Sequence, residues 1–228
     1  MSFHIKLMVF FVFILFYSCR KSNDIISTSN DFSYYPLQVK NEYIYWVETV
    51  HIDAPININD TQRYYLKEYI ESTFADNTGK PAYRIERYQR SDTTQNWNLT
   101  DVWTSQYYDH QEHKVEENVR YVKLIFPVAL NVTWDGNSFN TLGSQTYSID
   151  SLDVSWNGFD STCLVMHQKL ETIIDKYWDY ERFSKHIGLI EKVSIQISQA
   201  YVMQNVPIEQ RIIRGDIYRQ RLVEYKIY

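Results

Sequence analysis

"GLIEKVSIQIS", residues 188–198, is the stretch whose reading decides the fold class. Val193, Ile195 and Ile197 alternate with Ser194, Gln196 and Ser198, a period of two that belongs to a strand. The expectation is that the three apolar side chains face a core and the three polar ones face water. The same texture recurs in both directions from this stretch. "NEYIYWVETVHID" (residues 41–53) puts Ile44, Trp46, Val50 and Ile52 on one face and Tyr43, Tyr45 and Val47 on the other.

Further strands are read in "RYYLKEYIESTFAD" (63–76), "AYRIERYQRS" (82–91), "NWNLTDVWTSQYYD" (96–109), "ENVRYVKLIFPV" (117–128), "DSTCLVMHQKL" (160–170) and "GDIYRQRLVEYKIY" (215–228). The first two flank a "DNTGKP" turn and predict a hairpin. Residues 131–151 are turn-rich and read as a long connection with one short strand. "ETIIDKYWDYERFSKHIG" (171–188) reads as a helix, because Ile174, Tyr177, Trp178 and Phe183 fall near one stripe and Gly188 could cap it. About eight strands joined mostly by turns predict a mainly β protein. The sheet is antiparallel, curled into a barrel or sandwich, with one helix late in the chain to plug or cover it.

The N-terminus follows a different logic. Lys6 precedes an unbroken apolar run from Leu7 to Tyr17, stopped by Arg20 and Lys21. That run suits a signal peptide and is short of the roughly 20 residues of a membrane-spanning helix. "LFYSC" resembles the lipobox of bacterial lipoproteins, with Phe16 and Tyr17 departing from its usual aliphatic-then-small pattern. The resemblance implies diacylglyceryl transfer to the Cys19 sulfur, cleavage before Cys19 and acylation of the new amine; several acyl chains anchor stably where one is marginal. The organisation expected is a signal peptide over 1–18, a lipidated tether over 19–33 and a single β-rich domain over 34–228. No acidic block follows Cys19, which points to the periplasmic side of the outer membrane.

Composition limits the function classes. The chain of 228 residues has a formal charge of −5, and loss of residues 1–18 removes only the cation Lys6. A mildly acidic chain without a basic stripe argues against a nucleic-acid partner. Twenty tyrosines against six glycines fit pleated surfaces with one packed end and one wet end. With Cys19 lipidated, Cys163 has no disulfide partner, and its apolar flanks predict a buried, inert thiol.

Several stretches together resemble a group of uncharacterised Bacteroidetes lipoproteins: "YYPLQVKNEYIYWV", "RYYLKEYIESTFADNTGKPAYRIERYQR", "KLIFPVALNVTWDGNSFN" and "HIGLIEKV". The group shares a Tyr-aromatic-Pro-Leu start, a Gly-Asn-aromatic opening of the first strand and a late Gly-Leu-Ile segment. Lys40 stands where that pattern has Gly. The resemblance covers most of residues 34–228 and implies no activity, substrate, cofactor or catalytic residue.

Three candidate sites emerge. Glu68 sits on an otherwise apolar face beside Tyr64, Leu66 and Ile70, where a carboxylate needs an Arg partner or a raised pKa. Arg87 is the partner expected, as a ligand handle inside a barrel or as a buried structural pair. Arg84, Glu86, Tyr88 and Arg90 share a strand face that could hold a carboxylate or phosphate, or be solvated charge pairs. His110 and His113, with Asp109 and Glu112, have a spacing compatible with zinc but lie in a polar stretch that reads as an exposed loop. No nucleophile elbow or phosphate loop is present. The reading is a non-enzymatic envelope lipoprotein, metal- and cofactor-free, that binds a small apolar ligand or lipid through Glu68, Arg84 and Arg87; the alternative is an accessory lipoprotein contacting an envelope protein.

Overall fold

The structure, a computed structural model, describes residues 32–228. Cys19, the signal peptide and nearly all of the tether therefore lie outside the described residues. Twelve strands form one antiparallel sheet: β1 Glu42–Asp53, β2 Ile58–Ala75, β3 Pro81–Arg90, β4 Asn98–Tyr108, β5 Gln111–Glu116, β6 Val119–Ile125, β7 Thr133–Asp135, β8 Thr146–Trp156, β9 Phe159–Glu171, β10 Lys176–Ser184, β11 Gly188–Ala200 and β12 Ile212–Lys226.

Sequence neighbours pair as hairpins, and β1 also pairs with β12, so the order is β6-β5-β4-β3-β2-β1-β12-β11-β10-β9-β8-β7. The two edges are consecutive in the chain and meet. Val122 N–H donates to the Gly136 carbonyl at 2.9 Å, and the Trp134 indole N–H donates to the Val122 carbonyl at 2.8 Å. Gly136 is needed at this seam, because a Cβ there would lie 2.4 Å from the Tyr147 ring. The mainly β, antiparallel, barrel-shaped class predicted from the alternation is what the chain adopts.

The late helix is not. Residues 176–184 form β10, paired on both sides with β9 and β11, and the described helical turns are short 3₁₀ segments. Tyr177, Asp179, Glu181 and Phe183 share one face of β10, and Trp178, Tyr180 and Arg182 the other. Each face mixes apolar and charged side chains, so polarity does not alternate and the stripe imitated a helix.

The mouth that the helix was expected to cover is closed instead by residues 32–41. Phe32 stacks on Tyr107 at 3.9 Å, and Tyr34 and Leu37 are buried in the two apolar clusters inside the barrel. Tyr43, Tyr45 and Val47 of β1 belong to the same interior, as do Leu66, Ile70 and Ile85.

β11 alternates as read, but the faces are inverted. Lys192 reaches Glu116 of β5 at 3.4 Å, a contact that only the inside of the barrel allows between strands so far apart in the sheet. Val193, Ile195 and Ile197 therefore point outward. They are nonetheless buried, because Ala200, Ile208 and Ile212 bring the connection 201–211 across them as a strap, with Ile217, Trp178 and Tyr180 alongside. The strap is fastened by Lys176 to Glu209 at 2.7 Å and by Arg211 to the carbonyls of Val206, Ile173 and Tyr201. Elsewhere the outer surface carries Glu48, Arg63, Arg84, Glu86 and Arg219 in ion pairs, where a membrane-spanning barrel has an apolar band.

Candidate functional site

With apolar side chains packed at one mouth and under the strap, the middle of the lumen is left to charged residues. β5, "QEHKVE", supplies three of them. Its register against β4 and β6 turns Glu112, Lys114 and Glu116 inward and His113 and Val115 outward. A bulge on β6 opposite Glu112 and His113 inserts Lys123 into the same space.

The first cluster is centred on Glu68, which is 6% exposed. Arg87 Nε and Lys114 Nζ each lie 3.1 Å from its carboxylate, and Arg87 also reaches Asp101 at 3.1 Å. The Arg87 guanidinium lies over the Trp103 ring at 3.5 Å. Burial by itself would raise the Glu68 carboxyl, but Lys114 and Arg87 outweigh it and hold the group below its ordinary value.

The second cluster is a four-charge ring. Lys123 sits 3.0 Å from Glu116 and 2.9 Å from Glu181, and Lys192 sits 3.4 Å from each of the same two carboxylates. Burial opposes the charge on Glu181, yet Lys123 and Lys192 pull its carboxyl down to about 2. His167 extends the ring: it stacks on Tyr147 at 3.8 Å, with Nδ1 3.3 Å from Asp179 and Nε2 3.8 Å from Glu181. Lys192 and Glu116 keep 24% and 13% of their side-chain surface although they stand inside the barrel. Solvent therefore reaches the lumen at that level.

Glu112 stands apart. It is fully buried, takes a hydrogen bond from the Ser105 hydroxyl on one oxygen and has no partner for the other. Burial pushes its carboxyl up to about 8, and the Ser105 bond and the positive charges of Lys114 and Lys123 only partly oppose this.

Towards the plugged mouth a cavity of about 30 Å³ is lined by Tyr35, Leu37, Tyr45, Glu68, Lys114 and Leu189 among others. That is room for about two water molecules and no acyl chain while the plug is seated.

Of the residues singled out in the sequence, Glu68 and Arg87 are brought together and Arg84 is not. Arg84 lies on the outer face, 3.1 Å from Glu71 and bonded to Glu86, which also takes the Tyr88 hydroxyl. That row shares one face as expected, but it is a half-buried set of mutual pairs separated by the sheet from Glu68. The "DHQEH" stretch is a correction, being a hairpin rather than an exposed loop. His110 occupies the turn with φ of 60°, while Glu112 and His113 are both buried on opposite faces of β5. Among the described residues, no three His, Cys, Asp or Glu side chains converge as a metal site. Cys163 is fully buried, as read, and burial pushes its thiol up to about 12.

Sequence reasoning missed Lys114, Glu116, Lys123, Glu181 and Lys192, and named Glu112 only as a neighbour of the histidines in an exposed loop. The one signal was that Glu112, Lys114 and Glu116 share a parity within six residues. The arrangement suits holding a polar or charged group by exchange of ion-pair partners. Comparison with protein-family models, with curated proteins and with solved structures found no match for this chain.

Proposed function

We propose that this chain is a non-enzymatic lipoprotein of the bacterial envelope, anchored at Cys19, whose barrel binds a small ligand in its lumen. The observation that carries the reading is the charge-lined lumen, reached by solvent at Lys192 and Glu116. Paired charges of both signs within one enclosure favour a small polar or zwitterionic molecule over a lipid, because a long apolar chain would bury them without partners. Cys19 precedes Phe32 by 13 positions, so the plugged mouth lies within about 45 Å of the anchor.

The test is mass spectrometry of the protein extracted in mild detergent from its own membranes. A small molecule at one per chain, lost in the Lys192→Met variant, supports the reading; its absence from repeated extractions opposes it. Cys19→Ala should move the protein to the soluble fraction, and retention in membranes would contradict the anchor.

A second reading, an accessory lipoprotein in an outer-membrane complex, rests on a separate observation. Leu170 near the end of β9, and Ile173, Ile174, Tyr201, Val202 and Met203 on loops, are exposed at the end opposite the plug. Arg211 pins these loops together through the carbonyls of Ile173 and Tyr201. Contiguous exposed apolar side chains of this kind mark contact surfaces. Stoichiometric recovery of one protein in the same extraction, lost in Val202→Asp, would favour it.

A further inference from the structure

Of the groups that hold the plug, Tyr107 borders Glu112. The Tyr107 hydroxyl accepts the Leu37 N–H at 3.1 Å and donates to the Tyr35 carbonyl, bracketing the segment from below. His186 N–H donates to the Ser33 carbonyl at 2.6 Å, and Tyr34 donates to Asp153 at 2.7 Å. The segment then turns at Lys40, with φ of 78°, into β1. Tyr107 is the direct cross-strand partner of Glu112 in the β4–β5 register, so the holder of the plug and the unpaired carboxyl share one patch of the lumen wall. Among the lumen carboxylates, Glu112 also acts most strongly on the Tyr35 hydroxyl.

The groups that bear on Glu112 come from every element around it. They are Ser105 and Tyr107 on β4, Lys114 on β5, Lys123 on β6, Glu181 on β10 and Tyr35 on the plug, with Glu68 and Glu116 one ion pair further away on Lys114 and Lys123. The two cations among them are already committed: Lys114 to Glu68, Lys123 to Glu116 and Glu181. Glu112 is therefore tolerated under the plug only as the neutral acid, or with water admitted to it. We propose that Glu112 is a proton-operated lock on residues 32–41: protonated, it lets the plug seat, and its proton is released to solvent when the plug withdraws and water reaches the carboxylate. This holds whatever the lumen binds.

The direction in pH follows from linkage. The closed form keeps the proton up to about pH 8, whereas a hydrated glutamate loses it near 4.5. Opening therefore becomes up to about tenfold more favourable per pH unit between those values and levels off above the upper one. The neighbouring Glu68, Glu116 and Glu181 are held below their ordinary value and do not titrate in this window.

The experiment is amide hydrogen exchange on the whole lipidated protein in detergent, with rates corrected for intrinsic chemistry at each pH. The Leu37 and Lys40 amides, bonded to Tyr107 and Ile70, report the plug, and Val47 reports the barrel. We expect the protection of Leu37 and Lys40 to fall at least about tenfold from pH 6.5 to pH 8 and then level off. Val47 should not follow. Glu112→Gln should abolish the dependence and keep the plug protected throughout. Ser105→Ala, which removes the side-chain hydrogen bond to the Glu112 carboxyl, should move the levelling-off to higher pH and serves if Glu112→Gln fails to fold. Flat protection in the wild type, or the same fall in Glu112→Gln or an unmoved plateau in Ser105→Ala, would overturn the proposal.

Discussion

β5 and β11 make an instructive pair. β5 reads as a polar, solvent-loving hexapeptide, and β11 as a strand with an apolar side made for a core. In the barrel β5 turns Glu112, Lys114 and Glu116 inward and β11 turns Lys192 inward, and the two strands meet across the lumen through Lys192 and Glu116, 3.4 Å apart. The inner face of β11 continues with Ser194 and Gln196, while its apolar face finds cover outside under residues 201–211. Alternation fixes which residues share a face, because side chains alternate across a pleated strand. It does not fix which face is covered. For β11 that is decided by the strap, and for β5 by ion-pair partners contributed from β2, β6 and β11.

The largest effect should come from breaking the charged layer. Lys123→Ala leaves Glu116 and Glu181 buried with only the part-exposed Lys192 between them, and should cost about 3–5 kcal/mol in chemical denaturation. A loss below about 1 kcal/mol would mean that water reaches the two carboxylates freely. Ile197→Ala, on the strapped face, should cost about 2–4 kcal/mol, as much as a truncation in the interior. A near-neutral result would show that the strap does not seal that face.

A third measurement separates the two faces of β5 by pH. The raised Glu112 carboxyl makes the unfolded chain the weaker proton binder above its ordinary 4.5, so stability declines as pH rises towards about 8. The slope is at most about 1.4 kcal/mol per pH unit. His113, on the outer face, acts oppositely. Burial holds its imidazole down to about 4, so its contribution is full above 6.5 and is lost as pH falls towards 4. Between pH 6.5 and 8 only Glu112 of the two is at work, and Glu112→Gln should flatten that part of the curve. Persistence of the slope would remove Glu112 from the account.

The smallest effect concerns the turn out of the plug. Lys40 adopts a left-handed φ of 78°, a region that favours glycine. Lys40→Gly should therefore stabilise by about 1 kcal/mol. A destabilised variant would show that the lysine side chain, not its backbone, is what the turn needs.

Much of this architecture was legible. The long strands β1, β2, β3, β4, β9, β11 and β12 announce themselves through β-branched and aromatic residues, and the Glu68–Arg87 pair through one carboxylate on an apolar face opposite a hairpin return strand. What was hidden shares a physical cause. β10 mixes charge and aromatics on both faces because one face joins the ion ring and the other the strap cluster, so its period of two is invisible. Lys123 enters the lumen through a bulge, and a bulge changes parity without any mark in composition. Arg84 and Arg87 look equivalent in "RIERYQR" but have opposite parity, and only Arg87 faces Glu68. The plug was unreadable as such, since nothing in "FSYYPLQ" says that its Tyr and Leu side chains enter a barrel closed by the meeting of β6 and β7 about 100 positions later.

The central claim is that β5 and β11 face each other through a charged lumen, and a double-mutant cycle with Glu116→Gln and Lys192→Met tests it most directly. The account expects a coupling of about 1 kcal/mol or more in unfolding free energy, because the two groups are in contact inside the barrel. Additivity within about 0.3 kcal/mol would place them apart, with Val193, Ile195 and Ile197 turned inward, and would contradict it.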